Sequence, residues 1–341
     1  MSDCACIAVP PEAEEAGRLL FFLELTPACN NACPGCSNVF AHDRFPGPLS
    51  AREWSTVLDR IAPNAFYLEL TGGEPTLHPE FEEIIEHIQG LGIPFNLFTN
   101  ARWPEPERLV SFLAGAQPNR LLVSLHGISP PSHEAFTGVP GSFVETLDNI
   151  RRAIEAGLTV TTSTVLTQYN CTEVEAMVDL GQELDAHHAA FQRYIGAAMP
   201  ELEPDEDGFR GAVAAIERIR SNGGNHKASD ELARFGTPIP HCFAANSSNG
   251  CRAGEVQITV DPWGNVRPCN HVPVVCGNLL SQSLDEIMHS AAMESWRRLI
   301  PDECLGCLDF EVCRGGCRAT AMLRELRQDP LIRMAVPRMI T

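Results

Sequence analysis

Three cysteines, Cys29, Cys33 and Cys36, stand in the stretch TPACNNACPGCSN (26–38) with the spacing C-x3-C-x2-C. Thiolates at such spacing bind soft metals, yet a structural zinc ion or a cubane iron–sulfur cluster normally takes four ligands. Three thiolates on a [4Fe–4S] cube leave one iron without a protein ligand. An open coordination position is what separates catalytic metals from structural ones, and such an iron can chelate a small molecule through an amine and a carboxylate. A zinc ion completed by a distant cysteine or histidine is the other reading of the same spacing.

A second group follows in LTGGEPTLHPEF (70–81), where Gly72, Gly73, Glu74 and Pro75 are consecutive. Paired glycines allow a ligand to approach the backbone closely, and Glu74 adds a carboxylate; alone, the pair also reads as a plain turn. The cysteines are clumped. Of 14, three lie near residue 30 and eight between Cys242 and Cys317, leaving only Cys4, Cys6 and Cys171 apart. Clumping of this kind is what multinuclear ligation requires, and a chain with no visible export signal seldom uses cysteines for stable disulfides.

The elements that position these groups alternate. Strand patterns at 19–25, 65–71, 94–100, 120–126, 158–166 and 188–195 are rich in residues suited to buried strands. Helical patterns intervene at 50–62, 79–92, 142–157, 172–184 and 207–224. Ser50 with Glu53, and Ser283 with Glu286, have capping-box spacing. Consecutive strand–helix units imply a parallel sheet with right-handed crossovers, barrel-like or doubly wound. In a parallel barrel the chemistry sits where strands end, which is where Cys29–Cys36 and Gly72–Pro75 fall. No Gly-x-Gly-x-x-Gly follows the first strand, which weakens a dinucleotide-binding reading. From about residue 236 the texture turns loop-like and cysteine-dense.

Composition sets outer bounds. With 44 acidic against 25 basic residues the formal charge is −19, which argues against nucleic acid or an anionic membrane as the main partner. No apolar run approaches the ~18 residues of a membrane span, and the N-terminal residues lack a secretory pattern, so a cytoplasmic protein is expected.

On Cys29, Cys33, Cys36 and Gly72-Gly73-Glu74-Pro75, set on strand–helix units, the chain resembles the radical S-adenosylmethionine (SAM) superfamily over about residues 19–200. The resemblance implies a partial (β/α)6 barrel. It also implies a [4Fe–4S] cluster on the three cysteines whose free iron chelates SAM, and reductive cleavage of SAM to a 5′-deoxyadenosyl radical that abstracts hydrogen from substrate. By position it implies SAM contacts from Gly72, Gly73, Glu74 and Pro75, with Ser124 and Thr164 at the pocket edge. Many relatives have Arg-Gly after the fourth strand; here Phe136-Thr137-Gly138 stand there. His126, where many relatives have Asp, reads as a structural histidine or a substrate-facing acid/base.

The second block resembles a SPASM domain, the auxiliary-cluster extension of many radical SAM maturases. It carries Cys251-x12-Gly264-x4-Cys269 and then C-x2-C-x5-C-x3-C at Cys304, Cys307, Cys313 and Cys317. The resemblance implies two auxiliary [4Fe–4S] clusters. Cys251, Cys269 and Cys317, with Cys242 upstream, would hold the first; Cys304, Cys307 and Cys313 would hold the second. SPASM domains usually end on one further cysteine, absent here, and Cys276 is the expected substitute; Asp329, a second open site, no second cluster or structural zinc are the alternatives. The expected organisation is an extension (1–18), a barrel (19–235) and an auxiliary domain (236–341). The implied function is maturation of a ribosomal peptide or protein side chain, with flavodoxin or ferredoxin as electron donor. Modification of a small molecule or tetrapyrrole is the alternative enzyme reading, and a non-catalytic iron–sulfur or zinc scaffold the alternative of another class.

Overall fold

The structure, a computed structural model, describes residues 16–40, 47–196, 199, 201–221, 233–244 and 250–332. Cys4 and Cys6 lie outside the described residues. Six strands follow the sequence pattern: β1 (Leu19–Glu24), β2 (Ala65–Thr71), β3 (Phe95–Thr99), β4 (Arg120–Ser124), β5 (Val160–Leu166) and β6 (His188–Arg193). Each pairs in parallel with the next, and a short β7 (Ala233–Phe235) adds to β6. The order runs β1 to β7 without reversal. A doubly wound sheet reverses direction at a switch point, so this sheet is the partial barrel.

Helices cover its outer face. In α1 (Ala51–Ile61) the buried residues Ala51, Trp54, Val57, Leu58 and Ile61 share one stripe, and Ser50 with Glu53 forms the expected capping box. α2 (Phe81–Leu91), α5 (Ser142–Glu155), α6 (Val174–Glu183) and α7 (Glu206–Ser221) also follow the pattern. Two helices were not foreseen, α3 (Pro106–Ala116) and α4 (Pro130–Thr137). α3 starts on Pro106 and buries Leu109, Val110, Leu113 and Ala116, a stripe that the sequence does carry.

Side chains alternate along each strand. Phe21, Leu23, Leu68, Leu70, Leu97, Leu121 and Val123 join the core under the helices. Their neighbours Glu24, Glu69, Asn96 and Arg120 therefore line the barrel interior. There the Tyr67 hydroxyl donates to Asn96 Oδ1 (2.9 Å), Asn96 Nδ2 donates to Glu69 Oε1 (3.1 Å), and Arg120 Nη1 lies 3.0 Å from His188 Nε2. Burial pushes Glu69 up to about 8.

The cysteine-rich block is joined to this barrel. β8 (Gln257–Val260) pairs in parallel with β1, and β9 (Asn265–Arg267) and β10 (Gly277–Asn278) extend the sheet antiparallel. Arg267 at the end of β9 forms a buried ion pair with Glu24 at the end of β1. The chain leaves β9 toward Cys269 and β1 toward Cys29, with β8 between the two strands. The short helices α8 (Leu284–Met288), α9 (Ala291–Arg297), α10 (Phe310–Cys313) and α11 (Arg318–Leu323) complete the block; Ser283 and Glu286 cap α8 as expected.

Behind α11, Asp329 takes a bidentate bond from Arg193 of β6 (2.7 and 3.0 Å) and a third from the Cys317 backbone N–H (2.7 Å). The two side chains are 0% and 5% exposed. Breaking such a pair strands a buried charge, so Asp329→Ala is expected to destabilise by about 3–5 kcal/mol. Asp148→Ala, which removes an exposed partner of Arg151, is expected to change stability by under about 1 kcal/mol. Denaturant melts of the two variants check the contrast.

Candidate active site

The loop after β1 is built by backbone contact with the loop after β2. Gly73 N–H donates to Thr26 O and Glu74 N–H to Ala28 O, both at 2.7 Å, and Asn38 Nδ2 donates to Gly72 O (2.8 Å). A Cβ on Gly73 would sit 2.2 Å from Ala28 O, so the two loops meet only because Gly73 has no side chain. α4 closes on the other side: Ala32 N–H donates to Thr137 O (2.9 Å), and Gly138, at φ +68°, leaves 2.5 Å between a virtual Cβ and Ala32 O. Gly138 thus packs the cysteine loop itself.

Side chains that the sequence reading did not single out finish the job. Arg102 Nη1 donates to Asn30 O (2.6 Å) and Asn31 Oδ1 (2.9 Å), while its Nε pairs with Glu145 (2.8 Å). Asn100 Nδ2 donates to Asn30 Oδ1 (2.8 Å) and lies 3.8 Å from Cys29 Sγ. Around Cys33, Phe136, Tyr194, Leu202 and Val165 form an apolar wall. The three thiols are brought together. Burial raises all three, and beyond that Cys33 is raised by Cys36 and Cys29, Cys29 by Glu74 and Cys36, and Cys36 by Glu24.

Glu74 is buried and its carboxylate is fully engaged. Oε1 accepts from the hydroxyls of Thr76 (2.7 Å) and Thr99 (2.8 Å), and Oε2 from Asn100 N–H (2.7 Å). Burial pushes its pKa up against these bonds. Glu74 locks the Gly72–Pro75 loop to the end of β3, and Pro75 opens a single 3₁₀ turn to Leu77. Ser124 ends β4 half-buried, in register with Ser163. Thr164 is a correction. Its hydroxyl donates to Leu125 O (2.5 Å) and lies 3.7 Å from Met177 of α6, so it faces the helix layer. Alternation puts Ser163 and Val165 on the interior side instead. His126 reads as structural: its Nδ1 accepts from Val165 N–H (3.2 Å), its ring packs 4.4 Å from Phe136, and burial keeps it neutral.

In the second block the described cysteines fall into separate neighbourhoods. Cys251, Cys269 and Cys317 cluster with Trp296, Val272 and Ile195. Burial and then Cys317 push Cys251 up to about 11. Burial and then Cys313, Cys242 and Cys307 push Cys304 up to about 12, and His241 N–H donates to Cys313 Sγ (3.4 Å). Cys242 therefore lies within electrostatic reach of Cys304. Cys276 lies elsewhere, in the apolar core with Leu284, Ile287 and Met293 and hydrogen-bonded to Ser290. Asp329, the other substitute considered, is held by Arg193.

With this geometry in view, the family described as "Radical SAM superfamily" matches residues 23–181, and the SPASM iron–sulfur cluster-binding domain matches residues 251–315. The chain carries a radical SAM domain followed by a SPASM domain. It is an enzyme of the [4Fe–4S]- and SAM-dependent class, with an auxiliary iron–sulfur domain. PqqA peptide cyclase of Xanthomonas campestris pv. campestris (strain 8004) is 27% identical over 319 residues, covering 89% of this chain and 83% of that protein. PqqA peptide cyclase of Rhizobium meliloti (strain 1021) is 28% identical over 346 residues, covering 94% and 88%. Streptococcus suis SuiB bound to S-adenosylmethionine shares the fold at TM-score 0.75 and 18% identity, over 92% of this chain and 77% of that one. No described helix is long and apolar enough to cross a membrane.

The residues present fit the groups this superfamily uses. The charges acting on the Cys29–Cys36 thiols are one another, Glu74 and Glu24, all of one sign. Three thiolates there are stable only against added positive charge, which bound iron supplies. Beside Cys251, the buried Arg318 guanidinium leaves Nε and Nη1 without hydrogen-bond partners among the described residues, which suits an anionic group at that set.

The close approach at Gly73 gives a direct test. Gly73→Ala forces the two loops apart, and overpacking costs about 1–3 kcal/mol, so SAM affinity is expected to fall about tenfold or more. Gly90→Ala, in α2 with nothing within 4 Å of the new methyl, is expected to leave it unchanged. Spectroscopic titration of the reconstituted protein with SAM compares them.

Proposed function

We propose that this chain is a peptide-maturing radical SAM enzyme with its reactive site at the C-terminal rim of β1–β5. Cys29, Cys33 and Cys36 would hold the SAM-binding cluster. Gly72 and Gly73 would bring backbone groups against SAM, Glu74 fixing their loop and Pro75 turning it, with Ser124 offering a hydroxyl at the end of β4. Bound there, the cluster and SAM supply the reducing electron and the 5′-deoxyadenosyl group that takes hydrogen from the substrate. The chain's own residues orient and exclude water: Phe136, Tyr194, Leu202 and Val165 shield Cys33, and Arg102 and Asn100 hold the loop in register.

Cys251, Cys269 and Cys317 would hold one auxiliary cluster and Cys242, Cys304, Cys307 and Cys313 the other, in a domain spanning 236–341 behind a barrel of 19–235. An external electron carrier such as flavodoxin or ferredoxin would reduce the enzyme in a cytoplasmic setting. The observation that carries the substrate class is the near full-length similarity to proteins named PqqA peptide cyclase. A peptide substrate is also consistent with the rim between β6 and the C-terminal block. There a cavity of about 240 Å³ is lined by Arg193, Tyr194, Glu203, Phe209 and Arg324.

Anaerobically reconstituted enzyme with dithionite and SAM is expected to release 5′-deoxyadenosine, and Cys33→Ala to lose this by roughly 100-fold or more. Adding its precursor peptide is expected to raise the yield and change the peptide's mass. No product from the intact enzyme removes the catalytic assignment; product with an unaltered peptide removes the substrate assignment.

A further inference from the structure

Three of the seven auxiliary-set cysteines are followed directly by arginine: Cys251-Arg252, Cys313-Arg314 and Cys317-Arg318. These arginines come from both thiol sets and converge on one carboxylate. Glu255 lies 3.3 Å from Arg252 Nε, 3.9 Å from Arg314 Nη1 and 3.5 Å from Arg318 Nη2. The two sets also touch here through the backbone, since Gly250 N–H donates to Val312 O (2.9 Å) and a Cβ on Gly250 would lie 2.5 Å from Cys313.

The members are not equal. Arg252, Arg314 and Glu255 are 30%, 25% and 23% exposed, so solvent screens them; Arg318 is 4% exposed. Its backbone N–H bonds to Cys251 sulfur, and two of its guanidinium nitrogens are buried without partners among the described residues. A buried cation whose free nitrogens adjoin a thiolate site is arranged to act on the group that the thiolates hold.

We propose that Arg318 and Glu255 are opposing positioning residues that set the reduction potentials of the auxiliary clusters, Arg318 acting on the Cys251/Cys269/Cys317 cluster and Glu255 on both. The inference rests on the ligand sets proposed above. On reduction each cluster takes one electron and no proton, and its charge becomes more negative by one. Net charge and hydrogen bonds at the sulfurs set such potentials. The Arg318 cation favours the reduced form, and the shared Glu255 carboxylate opposes it while restraining three cations that would otherwise repel.

The test is a redox titration of the reconstituted holoenzyme followed by electron paramagnetic resonance. Dithionite, oxidised to sulfite, supplies the electrons, and the signal that changes on SAM addition is set aside as the SAM-binding cluster. Arg318→Gln is expected to lower the reduced-to-oxidised ratio of one auxiliary cluster about tenfold at fixed potential, ~59 mV for a one-electron couple. Arg318→Lys, which keeps the charge, restores most of it. Glu255→Gln moves the ratio of both auxiliary clusters the opposite way. Unmoved ratios with about 11–12 iron per chain retained, or shifts of the same sign in Arg318→Gln and Glu255→Gln, overturn the inference alone. A wild-type protein holding about four iron overturns the ligand sets and this inference with them.

Discussion

Everything at this site depends on how close two loops can come. The loop after β1 carries Cys29, Cys33 and Cys36, and the loop after β2 carries Gly72 and Gly73. The backbones are bonded at 2.7 Å through Gly73 and Glu74, a distance that no side chain on Gly73 tolerates. Once that contact exists, the buried Glu74 carboxylate can bond Thr99 and Asn100 at the end of β3, and Asn100 can reach Cys29. Three strand ends are thereby tied into one rim. The thiols gather where burial and neighbouring charges disfavour thiolates, a setting that suits an added positive charge.

The same economy of position joins the two halves. Because β8 pairs with β1 and β9 with β8, the chain segments leading to Cys29 and to Cys269 leave one sheet two strands apart. The buried Glu24–Arg267 pair fixes their relation, and Arg193–Asp329 fixes the far side of the block against β6. Charge pairs of this kind contribute little net stability when intact, but they are specific, since each loses several kcal/mol when one partner is removed. The auxiliary thiol sets are thus held in register with the barrel rim, not suspended on a linker.

Much of this was legible in the sequence, and the reasons are local. Strand composition located β1–β6, and the capping boxes at Ser50 and Ser283 located two helix starts, because such signals involve residues a few positions apart. α3 was missed although Leu109, Val110, Leu113 and Ala116 carry its stripe. The pairing of β8 with β1 joins residues over 200 apart, and no local pattern reports it. Thr164 was misread by a single position: period-two alternation makes its neighbours Ser163 and Val165 the interior residues. Cysteine spacing announced metal ligation but could not partition the ligands. Thiols are chemically identical, and only three-dimensional placement brings Cys242 within reach of Cys304 and leaves Cys276 in an apolar core.

That partition is the centre of the account, and iron-edge anomalous diffraction from crystals of the reconstituted enzyme tests it most directly. The account predicts three separate iron centres, at Cys29/Cys33/Cys36, at Cys251/Cys269/Cys317 and at Cys242/Cys304/Cys307/Cys313, with Cys276 away from all of them. Iron bound by Cys276, or a second auxiliary centre lacking Cys242, would contradict it.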